Sequence, residues 1–126
     1  MKIIILAALL IVASPANSYT FAECNSFASQ LNAGYPARVN ATTSVESVGC
    51  ERAARKLVFS YMMRWDFTKV QFDPAQFKTL RPSTINHWCT TPGMRDLMRS
   101  FDVRYDYYDN AGVYVISDLY RIEDCL

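Results

Sequence analysis

Residues 57–65 read LVFSYMMRW, and the side chains of this stretch alternate between two kinds. Large apolar or aromatic residues stand at every odd position, whereas the even positions hold a mixed set that includes Ser60 and Arg64. A period of two is typical of a β-strand that buries one of its faces. Residues 38–48 are rich in valine and threonine, and Gly49 with the segment after it provides a turn. Together these features predict a first hairpin.

A second hairpin is predicted near the C-terminus. Residues 103–108 alternate again, the sequence DNAG at 109–112 is typical of a tight turn, and residues 113–122 return. The returning segment has apolar residues at both odd and even positions. It is therefore either a central strand or a strand whose phase is changed by a bulge near Ser117 and Asp118. Of the four predicted strands, we expect the second and the fourth to be central.

Helical segments precede and separate the two hairpins. An amphipathic helix is predicted over about residues 20–33, and Asp73 before Pro74 is a typical helix start. Pro82 is expected to end or kink this second helix, Ser83 can cap a further short piece, and Thr91 before Pro92 starts the last helix. The apolar positions that define the helices are Phe21, Cys24, Phe27, Ala28 and Leu31 in the first, Phe77 and Leu80 in the second, and Met94, Leu97, Met98 and Phe101 in the last.

This order of elements predicts an α+β fold. Two hairpins separated by a helical block favour a two-layer sandwich, in which one four-stranded antiparallel sheet has its helices on one face. The single domain is expected to span residues 19–126, because residues 1–18 resemble a secretory signal peptide. Their apolar run, residues 3–13, is too short for the roughly 20 residues that span a bilayer. We place cleavage after Ser18; the alternative is an uncleaved membrane anchor.

The charge balance of the chain argues against two classes of partner. The sequence has 13 Lys and Arg against 12 Asp and Glu, and removal of the leader with Lys2 leaves 12 of each. A neutral chain with interspersed charges has no electrostatic footprint for nucleic acid or for anionic membrane. We therefore expect neither as a partner. The four cysteines are too dispersed for a structural zinc site, so no metal and no cofactor are expected.

The cysteines predict a disulfide framework instead. Cys24, Cys50, Cys89 and Cys125 are an even number in a small exported domain, which favours two bridges. Four cysteines allow three pairings, of which we favour the sequential one because the others link the first helix to the far half of the chain. No CxxC motif supports thioredoxin-like redox chemistry.

The only histidine, His87, stands two residues before Cys89 and suggests a possible reactive site. A cysteine near a histidine can be activated as a thiolate nucleophile, but an oxidised Cys89 would remove that chemistry. A hydrolase that pairs His87 with a serine would need an exposed nucleophile turn, and no GxSxG motif occurs. We therefore expect no catalytic residues; a small hydrolase that uses His87 is the least favoured alternative.

Two stretches carry a resemblance to a known group of proteins. They are CTTPGMRDLM at 89–98, with its Cys-x-x-Pro-x-Met-Arg pattern, and the tyrosine-rich VRYDYYDNAG at 103–112, followed by Cys125. This arrangement, which covers residues 57–125, resembles a family of small exported proteins of Gram-negative bacteria that carries no established activity. The resemblance implies a periplasmic or secreted location and a bridge between Cys89 and Cys125.

The tyrosines of the second hairpin are the best sequence evidence for a binding surface, because exposed tyrosine beside arginine is common at interaction hot spots. The predicted partner-binding residues are Arg104, Tyr105, Tyr107, Tyr108 and Tyr114. The function that these features favour is an exported, non-enzymatic interaction module that binds another protein. It would be an inhibitor or immunity protein directed at a toxin or hydrolase, or an accessory subunit of an envelope or secretion assembly. The alternative is a periplasmic domain that binds a small ligand or a glycan.

Overall fold

The computed structural model describes residues 19–64 and 74–126. The expected leader and its cleavage site after Ser18, the end of the second predicted strand at Trp65 and the predicted cap at Asp73 lie outside these residues. The elements, in chain order, are α1 (Phe21–Asn32), β1 (Ala37–Arg38), β2 (Thr43–Glu51), β3 (Lys56–Met63), α2 (Ala75–Thr90), α3 (Pro92–Met98), β4 (Asp102–Tyr108), β5 (Tyr114–Tyr120) and the 3₁₀ turn η1 (Ile122–Cys125). The α+β class is confirmed.

The sheet differs from the predicted one in strand number and in direction. It has five strands in the order β1-β2-β3-β4-β5, and β3 pairs with β4 in parallel while the other pairs are antiparallel. The prediction of four antiparallel strands is therefore wrong. Parallel neighbours need a long crossover, and the chain from residue 64 to residue 101, which contains α2 and α3, supplies it. The extra strand β1 has only two residues, too few to leave a periodic signal.

The second predicted strand is β3 and lies at the centre of the sheet, as expected, but the fourth is β5 and lies at an edge. A bulge, the second of the two predicted causes, explains why β5 has apolar residues at both odd and even positions. Tyr107 pairs with Ile116 and Tyr108 with Tyr114, which leaves Val115 as the extra residue. This bulge lies two residues before the predicted position, and it shifts the phase of the strand.

The helices pack on one face of the sheet, and the core lies between the two layers. The sheet contributes Val45, Val48, Leu57, Phe59, Val103 and Tyr120, and the helical layer contributes Cys24, Ala28, Trp88, Leu97, Met98 and Phe101. Trp88 is 1% exposed, and its ring meets that of Phe59 edge to face with 5.8 Å between centroids. The second helix does not end at Pro82, since α2 continues through it to Thr90, so the short piece predicted to begin at Ser83 is part of α2.

Two disulfides join the layers in the sequential pairing. Cys24 with Cys50 connects α1 to β2, and Cys89 with Cys125 connects the end of α2 to η1. Within the described ranges, no helix has the length and apolar character needed to cross a membrane.

A side-chain clamp covers the outer edge of β2 beyond the short strand β1. The Asn32 amide nitrogen donates to the carbonyl of Val48 at 2.8 Å, and the Val48 N–H donates to the Asn32 amide oxygen at 2.9 Å. The carboxamide therefore satisfies both backbone groups of Val48, as a neighbouring strand would. An unpaired edge is prone to pairing with other chains, and this clamp protects one position of it.

We expect Asn32→Ala to lower the free energy of unfolding by about 1–2 kcal/mol, because the backbone groups of the buried Val48 lose both partners. Urea unfolding followed by circular dichroism measures the loss. Asn25→Ala is the matched control, since Asn25 is exposed in the same helix. Equal midpoints for the two variants would show that the clamp contributes nothing.

Candidate partner-binding cleft

A cleft of about 420 Å³ opens between α2 and the helix-bearing face of the sheet. Three parts of the chain form it. The first is the loop between β1 and β2 with the first residue of β2, the second is the pair of strands β3 and β4, and the third is the set of turns of α2 that face this loop. In that order, the lining residues are Val39, Asn40, Thr42 and Thr43, then Tyr61, Met63, Tyr105 and Tyr107, then Leu80, Ser83, Thr84 and His87.

The position of the cleft follows from how α2 is attached to the sheet. Near its C-terminal end, Trp88 is buried in the core and its indole N–H donates to the Tyr105 hydroxyl at 2.8 Å. Two turns earlier, Arg81 donates to the carbonyl of Leu119 at 2.9 Å and pairs with Asp124 at 3.2 Å. These contacts hold the helix towards β4, β5 and η1, and the cleft lies on its other side, towards the β1–β2 loop.

Tyrosine rings in mutual contact form the floor of the cleft. The Tyr61 ring lies 4.9 Å from that of Tyr105 and 5.2 Å from that of Tyr107, the latter in a stacked arrangement. Burial raises the pKa of all three hydroxyls, and the negative charge of Asp118 adds to the rise at Tyr107. All three therefore stay neutral at physiological pH. The floor is an aromatic surface without ionised groups.

The mouth of the cleft exposes apolar side chains to solvent. Val39 is 54% exposed on one side and Leu80 is 58% exposed on α2. Among the lining residues that the structure describes, none is Lys, Arg, Asp or Glu. Exposed apolar side chains grouped around an uncharged concave surface are typical of a site that another molecule covers.

The structure divides the five predicted partner-binding residues between two faces of the sheet. Tyr105 and Tyr107 face α2 and line the cleft. Arg104, Tyr108 and Tyr114 alternate with them or pair with their neighbours, so these three lie on the opposite face. The five residues therefore do not form one continuous surface.

The opposite face carries a hydrogen-bonded network of its own. Arg104 bonds Asp106 at 2.8 Å and Glu51 at 3.1 Å, and the hydrogen bond with Asp106 is the largest cause that raises the pKa of Arg104. Ser117 donates to Asp106 at 2.6 Å and lies 2.7 Å from the Tyr114 hydroxyl. Asp106 is only 6% exposed. The polar groups of this network are matched to one another, which is typical of a structural arrangement.

Sequence reasoning missed most of the cleft. Leu80 was expected on the buried apolar side of the second helix, yet it is among the most exposed large hydrophobic residues of the described chain. Val39 and Met63 carried no signal beyond strand periodicity. A helix that has an exposed leucine facing a sheet can be recognised only when the packing of that helix is known.

The region around His87 does not form a thiol site. The Cys89 sulfur is bonded to Cys125, so the proposed thiolate partner of His87 does not exist. His87 is exposed at the rim of the cleft. In the two described ranges, no group of three His, Cys, Asp or Glu side chains is placed to hold a metal ion.

No protein-family model matches the chain, and no curated protein matches it in sequence. Three solved structures share its fold. A protein of Pseudomonas aeruginosa described as secreted has a TM-score of 0.70 and 15% sequence identity, with 84% of this chain and 92% of that chain covered.

The other two similar structures are pilotins of type 2 secretion systems. EpsS from Vibrio vulnificus has a TM-score of 0.60 and 16% identity over 84% of this chain and 91% of its own. AspS from Vibrio cholerae has a TM-score of 0.56 and 14% identity over 83% of this chain and 91% of its own. The chain therefore has the same fold as these three proteins over most of its length.

Proposed function

We propose that the protein is an exported, non-enzymatic accessory subunit of an envelope secretion assembly, and that it binds an apolar segment of another protein in the cleft. The observation that carries the proposal is the uncharged cleft with exposed Val39 and Leu80 at its mouth. The shared fold with two pilotins of type 2 secretion systems supports the choice of assembly. The two disulfides support an oxidising, extracytoplasmic location.

Binding in this cleft would need little reorganisation of the protein. Two of the three walls are regular elements, the helix α2 and the strands β3 and β4, and α2 is fastened to the sheet and to η1 by the bond from Trp88 to Tyr105 and the ion pair of Arg81 with Asp124. A preformed site loses less conformational entropy when its partner arrives, so more of the contact energy is available as affinity. Leu80 and Val39 would then be covered, and Tyr107 would serve as an aromatic anchor.

Of the residues predicted from sequence, this proposal retains Tyr105 and Tyr107. It assigns no partner contact to Arg104, Tyr108 or Tyr114, which lie on the other face of the sheet. An inhibitor or immunity role stays a prediction, because no contact in the structure favours it over an accessory role.

A charge placed at the mouth of the cleft tests the proposal. We expect Leu80→Asp to weaken partner capture by roughly tenfold or more, because an aspartate would be desolvated there without a partner. Val113→Asp is the matched control, since Val113 is also 58% exposed but lies in the turn of the second hairpin. Each purified variant is used to capture proteins from envelope extract of the native host, and the captured proteins are identified by mass spectrometry.

The proposal requires that Val113→Asp and the unmodified protein retain a component of a secretion assembly and that Leu80→Asp loses it. Retention of the same component by Leu80→Asp would exclude the cleft. Capture of a toxin or a hydrolase instead would replace the accessory role with an inhibitory one.

A further inference from the structure

The floor of the cleft has one more hydrogen-bond donor than it can pair. Trp88, which is 1% exposed, donates its indole N–H to the Tyr105 hydroxyl at 2.8 Å. The hydroxyls of Tyr61 and Tyr105 bond to each other, and in such a pair only one O–H can donate. The described part of the chain gives neither hydroxyl a further acceptor. One O–H is therefore left unmatched, whichever of the two tyrosines carries it.

The unmatched hydrogen lies where a bound molecule would exclude water. Tyr61 and Tyr105 both line the cleft and are partly buried, and burial raises the pKa of both hydroxyls, so both keep their hydrogens. In solution, water can accept a bond from this O–H, but an anchor that fills the floor displaces that water. An anchor made only of hydrocarbon would leave the O–H buried and unpaired, which lowers its affinity.

The other polar side chains of the cleft do not impose the same requirement on its occupant. They are the exposed rim groups Asn40, Ser83 and His87 and the hydroxyls of Thr42, Thr43 and Thr84. The rim groups can stay hydrated when the floor is filled. The hydroxyls of Thr42 and Thr84 already donate within the chain. A threonine hydroxyl such as that of Thr43 can donate or accept, so it matches either kind of group.

The acceptor that matches the unpaired O–H should be uncharged. Among the described lining residues none is Lys or Arg, and Arg81 on the same helix is bonded to Leu119 and Asp124. A carboxylate on the floor would therefore lose its hydration without a counter-charge. The amide carbonyl is the uncharged acceptor that polypeptides carry, both in the main chain and in the side chains of Asn and Gln.

We propose that the floor of the cleft binds an amide carbonyl, which accepts the unmatched O–H of Tyr61 and Tyr105 while apolar parts of the same segment cover Leu80 and Val39. This inference rests on the proposed function, since it specifies a group on the segment that the cleft binds. A main-chain carbonyl inside a regular helix already accepts a bond. The group would therefore come from an Asn or Gln side chain, or from the main chain where a helix ends.

Two uncharged probes of the same shape test for the carbonyl site. Cyclohexanone has a carbonyl oxygen where methylenecyclohexane has a CH₂ group. Each is titrated into ¹⁵N-labelled protein, and the amide shifts of cleft residues report the place of binding and the dissociation constant. The ratio of the two constants is compared between proteins, so that the different hydration of the probes cancels.

A variant without any donor on the floor combines Tyr61→Phe, Tyr105→Phe and Trp88→Phe. Relative to methylenecyclohexane, cyclohexanone should bind the unmodified protein at least about fivefold more tightly than it binds this triple variant, because one hydrogen bond is lost. Tyr61→Phe alone should keep the unmodified ratio, since the Tyr105 O–H is then the unmatched donor. Tyr114→Phe is the matched control, because it removes a hydroxyl that lies outside the cleft beside Ser117.

Infrared spectroscopy gives a readout that does not require the triple variant to fold. The C=O stretching band of cyclohexanone bound to the unmodified protein should lie at a lower frequency than in cyclohexane as solvent, because a hydrogen bond weakens the C=O bond. A band at the position found in cyclohexane would mean that no donor reaches the carbonyl.

The outcomes separate this inference from the proposed function. That unshifted band, or an unchanged ratio in a folded triple variant, would overturn the carbonyl site and leave an apolar docking cleft in place. A ratio lost in Tyr61→Phe alone would also contradict the inference, since the Tyr105 O–H could still donate. If neither probe shifts the cleft residues, the cleft is not an apolar site, and both the inference and the proposed function fall.

Discussion

Replacing Trp88 with alanine is expected to lower the free energy of unfolding by about 3–5 kcal/mol, the range for a large buried aromatic side chain. Trp88 is 1% exposed and packs edge to face on Phe59, and its loss would leave a cavity between α2 and the sheet. Since small domains are stabilised by about 5–15 kcal/mol in total, the variant should be only marginally folded. Urea unfolding followed by circular dichroism at 25 °C gives the difference.

The loss at Trp88 has two parts that further variants separate. Trp88→Phe keeps much of the apolar volume but removes the N–H that donates to the Tyr105 hydroxyl. Tyr105→Phe keeps the ring but leaves the buried indole N–H without its acceptor, at a cost of about 1–3 kcal/mol. The double variant leaves neither group unpaired, so its loss should be smaller than the sum of the single losses.

Tyr114→Ala is the control for aromatic truncation, because Tyr114 is 55% exposed, and its effect should stay below about 1 kcal/mol. A Trp88→Ala protein as stable as Tyr114→Ala would mean that α2 does not close the core. In that case the cleft would have no fixed wall, since Trp88 holds the C-terminal part of the same helix that carries Leu80 and Ser83.

Local patterns were sufficient to predict most of the individual elements. The alternation in residues 57–63 gives β3, and the spacing of Leu97, Met98 and Phe101 identifies the buried side of the last helix. These signals are local, because each depends only on the spacing of the apolar residues along a single helix or strand that has one face on the core. The helices also lie on one face of the sheet, as the order of elements predicted.

The pairing of strands was not predictable in the same way. Residues 56–63 and 102–108 are parallel neighbours because the intervening helices return the chain to the end of the sheet where β3 begins. Nothing in the sequence of either strand records that direction, since an alternating strand fits both kinds of neighbour. The bulge at Val115 gives the edge strand β5 apolar residues at both odd and even positions, and this is also the pattern of a central strand.

The candidate site was predictable only in part. Residue type predicts Tyr105 and Tyr107, which both line the cleft, but it equally predicts Tyr108, which lies on the other face. Strand alternation places the neighbouring residues Tyr107 and Tyr108 on opposite faces of the sheet, so this part of the site is predictable from the sequence. The apolar mouth depends on the separation between α2 and the β1–β2 loop, which is a property of tertiary packing.

The two disulfides should differ in their contribution to stability, and in the order opposite to their loop lengths. The bridges join residues 26 and 36 positions apart, so the chain-entropy model gives about 3.5 kcal/mol for Cys24–Cys50 and about 4 kcal/mol for Cys89–Cys125. The different burial of the two bridges should reverse this small difference in free energy. Cys24 is fully buried in the core, whereas Cys89 and Cys125 are both partly exposed.

We therefore expect the variant with alanine at Cys24 and Cys50 to lose about 4–5 kcal/mol, and the variant with alanine at Cys89 and Cys125 about 3–4 kcal/mol. After loss of the second bridge, the C-terminal turn η1 is still attached to α2 through Arg81 and Asp124, 3.2 Å apart. Removing the Cys89–Cys125 bridge should therefore change the structure only locally, around η1. Removing the Cys24–Cys50 bridge should weaken the packing of α1 on the sheet.

Urea unfolding of the two double variants, measured beside the unmodified protein in oxidised and in reduced form, gives both losses. Hydrogen exchange then locates them: protection should fall across α1 and β2 in the first variant and mainly near η1 in the second. A greater loss from the Cys89 and Cys125 pair would mean that loop closure outweighs burial of the bridge. The C-terminal tie would then be the main support of α2, and the shape of the cleft would depend on a bridge that lies outside it.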